Sequence, residues 1–211
     1  MSALAQSVID TALTMSTSGL SAGRSGNVSV RDGDRILITP TGMAYEELVV
    51  SDIVSMGLDG SVPPGSRKPS SEWHFHAAIC AARQDVNAIV HTHSNAATAL
   101  ACLEEGIPAF HYMVAAAGGT DIRCAPYATF GTEELAALAV EALEDRNACL
   151  LAHHGVIACG TDLVKAYDLA VEVETLAEQY GRARLLGTVP LLSDDEMQRV
   201  LEKFKGYGQQ K

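Results

Sequence analysis

Two histidines, His91 and His93, end an apolar run over residues 87–93 that has the composition of a buried β-strand. Successive side chains of a strand point to opposite faces, so these two imidazoles share one face. A second apolar run, residues 148–153, is followed directly by His154. A fold that brings the ends of both runs together would place three imidazoles at one point, which restricts how the chain can fold.

A carboxylate, Glu72, lies upstream of these histidines at the start of a predicted helix. Three histidines with a carboxylate suit zinc, and a mobile fourth ligand would leave an open coordination position for catalysis. A His-x-His pair also occurs in ordinary protein cores and surfaces, so the pattern alone does not establish a metal site. His91, His93, His154 and Glu72 are candidate metal ligands.

The composition excludes several classes of protein. With 211 residues, 47% hydrophobic and 19% charged, residues 1–211 are expected to form one globular domain. The formal net charge of -11 argues against nucleic-acid binding, which requires basic patches. An anionic small molecule would have to be held by local groups, such as backbone N–H groups, hydroxyls and a metal.

The cysteines and the N-terminal residues indicate the cellular compartment in which the protein is expected. Five scattered cysteines form no C-x-x-C pair, which is typical of buried free thiols in a reducing environment. The first residues lack a basic segment followed by an apolar one, the pattern of a signal peptide. No apolar run approaches the roughly 18 residues of a membrane-spanning helix. We expect a cytoplasmic protein without a membrane partner.

Helical and strand patterns alternate along the chain. The hydrophobic spacing predicts helices over residues 3–18, 72–83, 95–105, 132–145, 162–186 and 193–204. Strands are predicted over residues 28–31, 35–40, 87–93 and 148–153, and a short helix and another strand within 46–59. This alternation predicts an α/β domain with a mixed sheet covered by helices.

Three short polar loops could hold an anion. They are Gly26-Asn27, Thr41-Gly42 and Ser70-Ser71. The two serines precede a predicted helix, where free backbone N–H groups and the helix dipole favour phosphate. They could equally be ordinary helix caps. Each loop alone is a common turn or cap, but together with the candidate metal ligands they form a coherent site.

A divalent metal beside a phosphate pocket suits chemistry at a carbon next to a ketone. The metal would act as a Lewis acid on the carbonyl and stabilise an enediolate. Glu72 would move a proton as the general base. Alternatively, Glu72 is only an acid that stabilises the helix dipole. Metal-assisted hydrolysis requires the same groups, so the residue types leave the reaction open.

Over nearly its whole length the chain resembles the class II, metal-dependent sugar-phosphate aldolases, most closely those that act on L-fuculose 1-phosphate. The matching segments are residues 26–31, 38–42, 69–73, 91–93, 111–113, 115–119, 124–132, 153–155 and 203–208. The resemblance implies a central mixed, largely antiparallel sheet covered by helices. It also implies one zinc ion per subunit, with manganese or cobalt as alternatives.

The resemblance implies a role for each matching site residue. His91, His93 and His154 would bind the metal, and Glu72 would be a fourth ligand that the substrate displaces, after which it acts as the base. The substrate phosphate and backbone contacts would involve Asn27, Thr41, Gly42, Ser70 and Ser71.

Three aromatic residues are implied at the other end of the substrate. Tyr112 would give a proton to the aldehyde oxygen, reaching in from a neighbouring subunit of a homotetramer. Phe130 and Tyr207 would shape the aldehyde end of the pocket. His153 is interpreted as structural, and His74 and His76 as scaffold or surface residues.

The implied reaction is retro-aldol cleavage of a ketose 1-phosphate to dihydroxyacetone phosphate and a small aldehyde, as part of carbohydrate metabolism. The substrate would be L-fuculose 1-phosphate or a 5-deoxypentulose or methylthio-pentulose 1-phosphate. The alternatives on this scaffold are a pentulose-phosphate 4-epimerase, a methylthioribulose-phosphate dehydratase and a non-catalytic, adducin-like interaction domain. Epimerases of this fold use a different acid/base set, and the adducin lineage has lost the metal histidines that are present here.

Overall fold

A computed structural model describes residues 2–206 of the chain. The helices are α1 (Ser2–Thr17), α2 (Trp73–Ala82), α3 (Asn95–Ala101), α4 (Glu133–Ala142), α5 (Leu163–Leu186) and α6 (Asp194–Phe204). The strands are β1 (Asn27–Asp32), β2 (Arg35–Ile38), β3 (Val54–Gly57), β4 (Ala88–Thr92), β5 (Arg123–Ala125), β6 (Ala148–Leu151) and β7 (Gly155–Gly160). Short 3-10 helices cover Tyr45–Glu47, Val50–Asp52 and Tyr112–Ala117.

The seven strands form one sheet in the order β3-β2-β1-β4-β7-β6-β5. All neighbouring strands are antiparallel except β5 and β6, which are parallel. The predicted mixed, largely antiparallel sheet is therefore confirmed. The strand that carries His91, β4, lies in the middle of the sheet, between β1 and β7.

Helices cover both faces of the sheet, and the two faces have separate apolar cores. Val90 of β4 packs into the core formed with α1, α3 and α5, whereas Ile89 packs with α2 and α4. Because side chains alternate along a strand, His91 points to the same face as Ile89, and its ring contacts Phe75 of α2. This arrangement places His91 beside the start of α2, where Glu72 lies. Within residues 2–206, no helix is long and apolar enough to cross a membrane.

Two strands differ from the sequence-based expectation. The run predicted as one strand over 148–153 stops at Leu151, and a second strand, β7, begins at Gly155. The turn between them has His153 in the left-handed conformation, at φ +56°. Gly155 is required at the start of β7, because a Cβ there would lie 2.3 Å from the Thr92 carbonyl oxygen. The short strand β5 was also not predicted.

The start of α2 also differs from the expectation. Neither serine caps the helix: Glu72 occupies the position before the first helical residue, and the Ser70 hydroxyl accepts a hydrogen bond from the Glu72 N–H at 3.3 Å. Ser70 thus supports the loop that carries Glu72. At α4, by contrast, Thr132 is a side-chain cap for the Leu135 N–H, and Glu133 and Glu134 lie in the first turn.

Candidate metal centre and active site

His91 is held by the sheet on both sides. It is fully buried in β4, opposite Asn27 of β1 and Ile157 of β7. Its Nδ1 lies 2.8 Å from the Val156 carbonyl oxygen. Since a carbonyl only accepts hydrogen bonds, Nδ1 carries the proton, and in the neutral ring Nε2 keeps its lone pair for a ligand.

The other two histidines reach the same point from outside the strands. His93 lies just beyond the end of β4, and His154 lies in the turn between β6 and β7. The ring centroids of His91, His93 and His154 are each 4.9 Å apart. The Nε2 atoms of His91 and His93 are 3.0 Å apart. The structure therefore brings together the three histidines that the sequence singled out.

Glu72 completes this cluster from the opposite side. Its Oε2 lies 3.1 Å from Nε2 of His91 and accepts a hydrogen bond from Nδ2 of Asn27 at 3.0 Å. Its Oε1 lies 3.0 Å from Nε2 of His154, without hydrogen-bond geometry, so this buried oxygen has no hydrogen-bond partner. The Glu72 carboxylate thus contacts two imidazoles, and the Asn27 amide orients it.

The pKa shifts in the cluster favour the protonation states in which these side chains can bind a metal ion. Burial alone would raise the pKa of Glu72, but attraction to His91 and His154 outweighs it and holds that pKa well below the usual range. Burial, with the neighbouring His91 and His154, lowers the pKa of His93 to about 4. Near neutral pH, Glu72 is ionised and His93 is neutral, which are the forms that bind metal ions.

This donor set fits a divalent cation. One ligand atom from each of Glu72, His91, His93 and His154 lies within 4.8 Å of the other three. The lone pair of His91 Nε2 is available on the cluster side to bind a proton or a cation. Oε1 of Glu72 accepts no hydrogen bond, so it is also available as a ligand atom. Three imidazole nitrogens and one carboxylate oxygen are ligands that zinc accepts.

A cavity of about 390 Å³ opens beside the cluster, a volume that suits a small phosphorylated ligand. Its walls include nine of the predicted site residues: Asn27, Thr41, Gly42, Ser70, Ser71, Glu72, His93, Phe130 and His154. His91 lies behind them in the sheet. The predicted phosphate-binding and metal-binding residues therefore surround one space.

The Thr41–Gly42 and Ser70–Ser71 loops, which were predicted to bind phosphate, are joined by backbone hydrogen bonds. The Thr41 N–H donates to the Lys68 carbonyl at 3.1 Å, and the Ser70 N–H donates to the Thr39 carbonyl at 3.0 Å. Gly42 has a positive φ of 73°, a conformation that favours glycine. The two loops thus form a single rigid wall of the cavity.

Tyr112, the predicted proton donor, does not lie near the histidine–glutamate cluster of its own chain. It begins a 3-10 helix, its surface is 51% exposed, and it lines a different cavity beside α6. A residue that reaches a neighbouring subunit would have this exposure. Tyr207, also predicted at the aldehyde end, lies outside the described residues.

Several residues near the cavity were not predicted. Arg24 lies at its rim and donates to the Gly42 carbonyl oxygen at 2.9 Å, and Tyr127 and His153 line the wall near Phe130. Arg24 could have been noticed as a cation in a Gly/Ser-rich loop. His76, interpreted from sequence as scaffold or surface, is fully buried and hydrogen-bonds Asn27.

Comparisons with known proteins agree with this geometry. Residues 6–180 match the Class II Aldolase and Adducin N-terminal domain family. The chain is 56% identical to a 5-methylthioribulose-1-phosphate/5-deoxyribulose-1-phosphate aldolase of Rhodospirillum rubrum, covering 98% of this chain and 93% of that protein. It is 53% identical to an L-fuculose phosphate aldolase of Escherichia coli K12, covering 97% and 95%.

The fold agrees as well. A solved structure of an L-fuculose 1-phosphate aldolase superimposes with a TM-score of 0.94 at 43% identity, covering 97% of both chains. The resemblance inferred from sequence is therefore confirmed. The family match runs from within α1 to within α5, and the histidine–glutamate cluster and the cavity are in place, so the chain belongs to the class II aldolase and adducin family.

Proposed function

We propose that this chain is a lyase that cleaves a ketose 1-phosphate by a retro-aldol reaction, giving dihydroxyacetone phosphate and a small aldehyde. The observation that carries the proposal is the position of Glu72. It touches His91 and His154 of the metal cluster and immediately follows the serine loop of the phosphate wall. The names of the relatives, aldolases of L-fuculose phosphate and of 5-methylthioribulose or 5-deoxyribulose 1-phosphate, support the same reaction.

His91, His93 and His154 would hold one metal ion per subunit, and Glu72 would be a fourth ligand that gives up its place to the substrate. When bound, the metal withdraws electron density from the substrate carbonyl as a Lewis acid. Zinc is the proposed ion, with manganese or cobalt as alternatives. The three imidazoles and the carboxylate that converge within 4.8 Å support this choice.

The phosphate end of the substrate lies against the wall formed by the Thr41–Gly42 and Ser70–Ser71 loops. The N–H groups of Thr41 and Ser70 already bond within the wall. Other backbone N–H groups, hydroxyls and the N-terminal end of α2 bind a phosphate there despite the negative net charge of the chain. Asn27 contributes less directly, because its amide is already bonded to Glu72 and His76. This end of the pocket fixes which part of the substrate reaches the cluster.

Two groups move protons. In the aldol direction, the Glu72 carboxylate takes a proton from the hydroxymethyl carbon of dihydroxyacetone phosphate. Tyr112 of a neighbouring subunit gives a proton to the aldehyde oxygen, and cleavage runs both transfers in reverse. Phe130, which lines the cavity, shapes the aldehyde end. The same role is proposed for Tyr207 on the family resemblance alone.

The proposed assembly is a homotetramer with active sites between subunits. The exposed Tyr112 and the exposed apolar side chains of Leu185 and Leu186 at the end of α5 support subunit contacts. The proposed location is the cytoplasm, supported by five cysteines that are all free thiols.

A substrate panel tests the reaction. Purified protein is assayed for release of dihydroxyacetone phosphate from L-fuculose 1-phosphate, 5-deoxyribulose 1-phosphate and methylthioribulose 1-phosphate. In the synthetic direction we expect strict use of the phosphorylated donor, because a site that hydrogen-bonds phosphate leaves polar groups unpaired without it. We expect loose choice of aldehyde, because an apolar pocket discriminates one methylene by only about 1–3 kcal/mol.

The same panel separates the alternatives. An epimerised pentulose phosphate or a dehydrated product, without dihydroxyacetone phosphate, would contradict the proposed cleavage. Efficient use of unphosphorylated dihydroxyacetone would contradict the role of the phosphate wall. Turnover of a single aldehyde with complete exclusivity would contradict the loose aldehyde end.

A further inference from the structure

A buried chain of hydrogen bonds runs from β1 through α2 to Glu72. The Ser29 hydroxyl lies 2.7 Å from Nδ1 of His76, and Nε2 of His76 lies 2.5 Å from Oδ1 of Asn27. Nδ2 of Asn27 then donates to Oε2 of Glu72 at 3.0 Å. All four residues are buried, and His76 has no exposed surface.

The chemistry of Glu72 fixes the direction of every bond in this chain. The ionised carboxylate only accepts, so the NH2 group of Asn27 must face it and Oδ1 must face His76. An amide oxygen only accepts as well, so Nε2 of His76 carries the proton. Burial, more than the neighbouring His91, lowers the pKa of His76 to about 3, so the ring is neutral and Ser29 donates to Nδ1.

The surroundings show that these polar groups are not required for packing. Asn27 and Ser29 share the face of the sheet that packs on α2, while Val28 and Val30 point to the other core. Around His76, the same core is formed by apolar residues such as Phe75 and Ile79. Buried polar groups destabilise a protein unless they are hydrogen-bonded, so a polar cluster here serves a purpose other than core packing.

We propose that His76 is a positioning residue for the general base. Its Nε2–H group holds the Asn27 carboxamide in one orientation, so that the amide N–H always steers the Glu72 carboxylate. Without this donor the amide can turn over, and its oxygen would then repel the carboxylate. Glu72 directly precedes α2 and His76 lies four residues later within it, so the start of this helix positions both the base and the group that orients it. The effect on catalysis rests on the proposed function of Glu72.

A matched pair of variants tests the role. His76→Gln keeps an N–H donor that can reach the position of Nε2, whereas His76→Met has the same unbranched length and no donor. Both residues are good helix formers. We expect His76→Met to lower kcat about 10–100-fold, as for other outer-shell partners, with KM nearly unchanged. His76→Gln should restore most of the lost turnover.

Three readouts apart from turnover separate positioning from a loss of structure. Metal content and the unfolding temperature show whether the site and fold are intact. Crystal structures of the two variants show whether the Glu72 carboxylate leaves Asn27 in His76→Met and stays in His76→Gln. If His76→Met does not fold, His76→Asn has the same expectation, since its shorter amide reaches toward Ser29 and not toward Asn27.

The outcomes distinguish this proposal from the proposed function. Equal turnover in the two folded variants, or an unmoved Glu72 in the variant without the donor, would overturn the role of His76. A wild-type protein that cleaves no ketose 1-phosphate would instead overturn the proposed reaction. In that case the position of Glu72 in the crystals would still test the hydrogen-bond chain.

Discussion

Replacing Glu72 by Gln removes the proposed base and leaves the shape of the site. The amide oxygen of the new residue can still accept from Asn27 Nδ2, which now lies 3.0 Å from Oε2, and the amide nitrogen can face His154. The loss is therefore the proton transfer and the negative charge. A positioned general base contributes roughly 10²–10⁴ in rate. A loss of that size equals about 2.7–5.4 kcal/mol in activation free energy.

The assay is steady-state cleavage, with the metal content of each sample measured in parallel. Three imidazoles remain in Glu72→Gln, so we expect most of the metal to be retained. Glu133→Gln is the matched control, because it removes an exposed acid from the first turn of α4, away from the cavity. Near wild-type turnover in Glu72→Gln, with metal bound, would refute the assignment of the base.

Three further expectations concern the metal, pH and assembly. Elemental analysis should give about one divalent ion per chain, and turnover that survived complete chelation would be incompatible with the mechanism. The pKa values of His76 and His93, about 3 and about 4, lie below the roughly 6.5 of an unfolded histidine. The unfolded chain thus binds more protons in this range, so the metal-free protein should lose stability, measured as unfolding temperature, as pH falls from about 6.5 toward 4. Mixing inactive His93→Ala and Tyr112→Phe chains should restore some activity after reassembly; a monomer in light scattering would contradict the shared site.

Much of the site could be predicted because the sequence patterns that mark it are local. His91 in β4 and His93 just beyond it show strand spacing, and the helix that follows Glu72 has a clear apolar pattern. The turn at His153 was harder to predict. The run from Ala148 to Cys159 is apolar on both sides of this turn and lacks the alternation that marks two strands.

The network around His76 could not be predicted for a different reason. Its partners, Ser29 and Asn27, lie on β1, far away in sequence, and become neighbours only when α2 packs on the sheet. A helical pattern reports which face of α2 is apolar, but it does not report which strand meets that face. Tyr112 has the same difficulty, since its predicted target lies in another copy of the chain.

The central place of β4 has a consequence for folding. The proposed ligands come from the start of α2, from β4 and its end, and from the turn before β7, so no single segment of the chain could form the proposed metal centre alone. An ion bound there would act as a cross-link that exists only in the native state and closes long loops of the chain. Its binding free energy would be added to the stability of the whole sheet. We therefore expect removal of the metal to lower the stability to unfolding as well as turnover, so that mutations tolerated by the metal-loaded protein become limiting when metal is scarce.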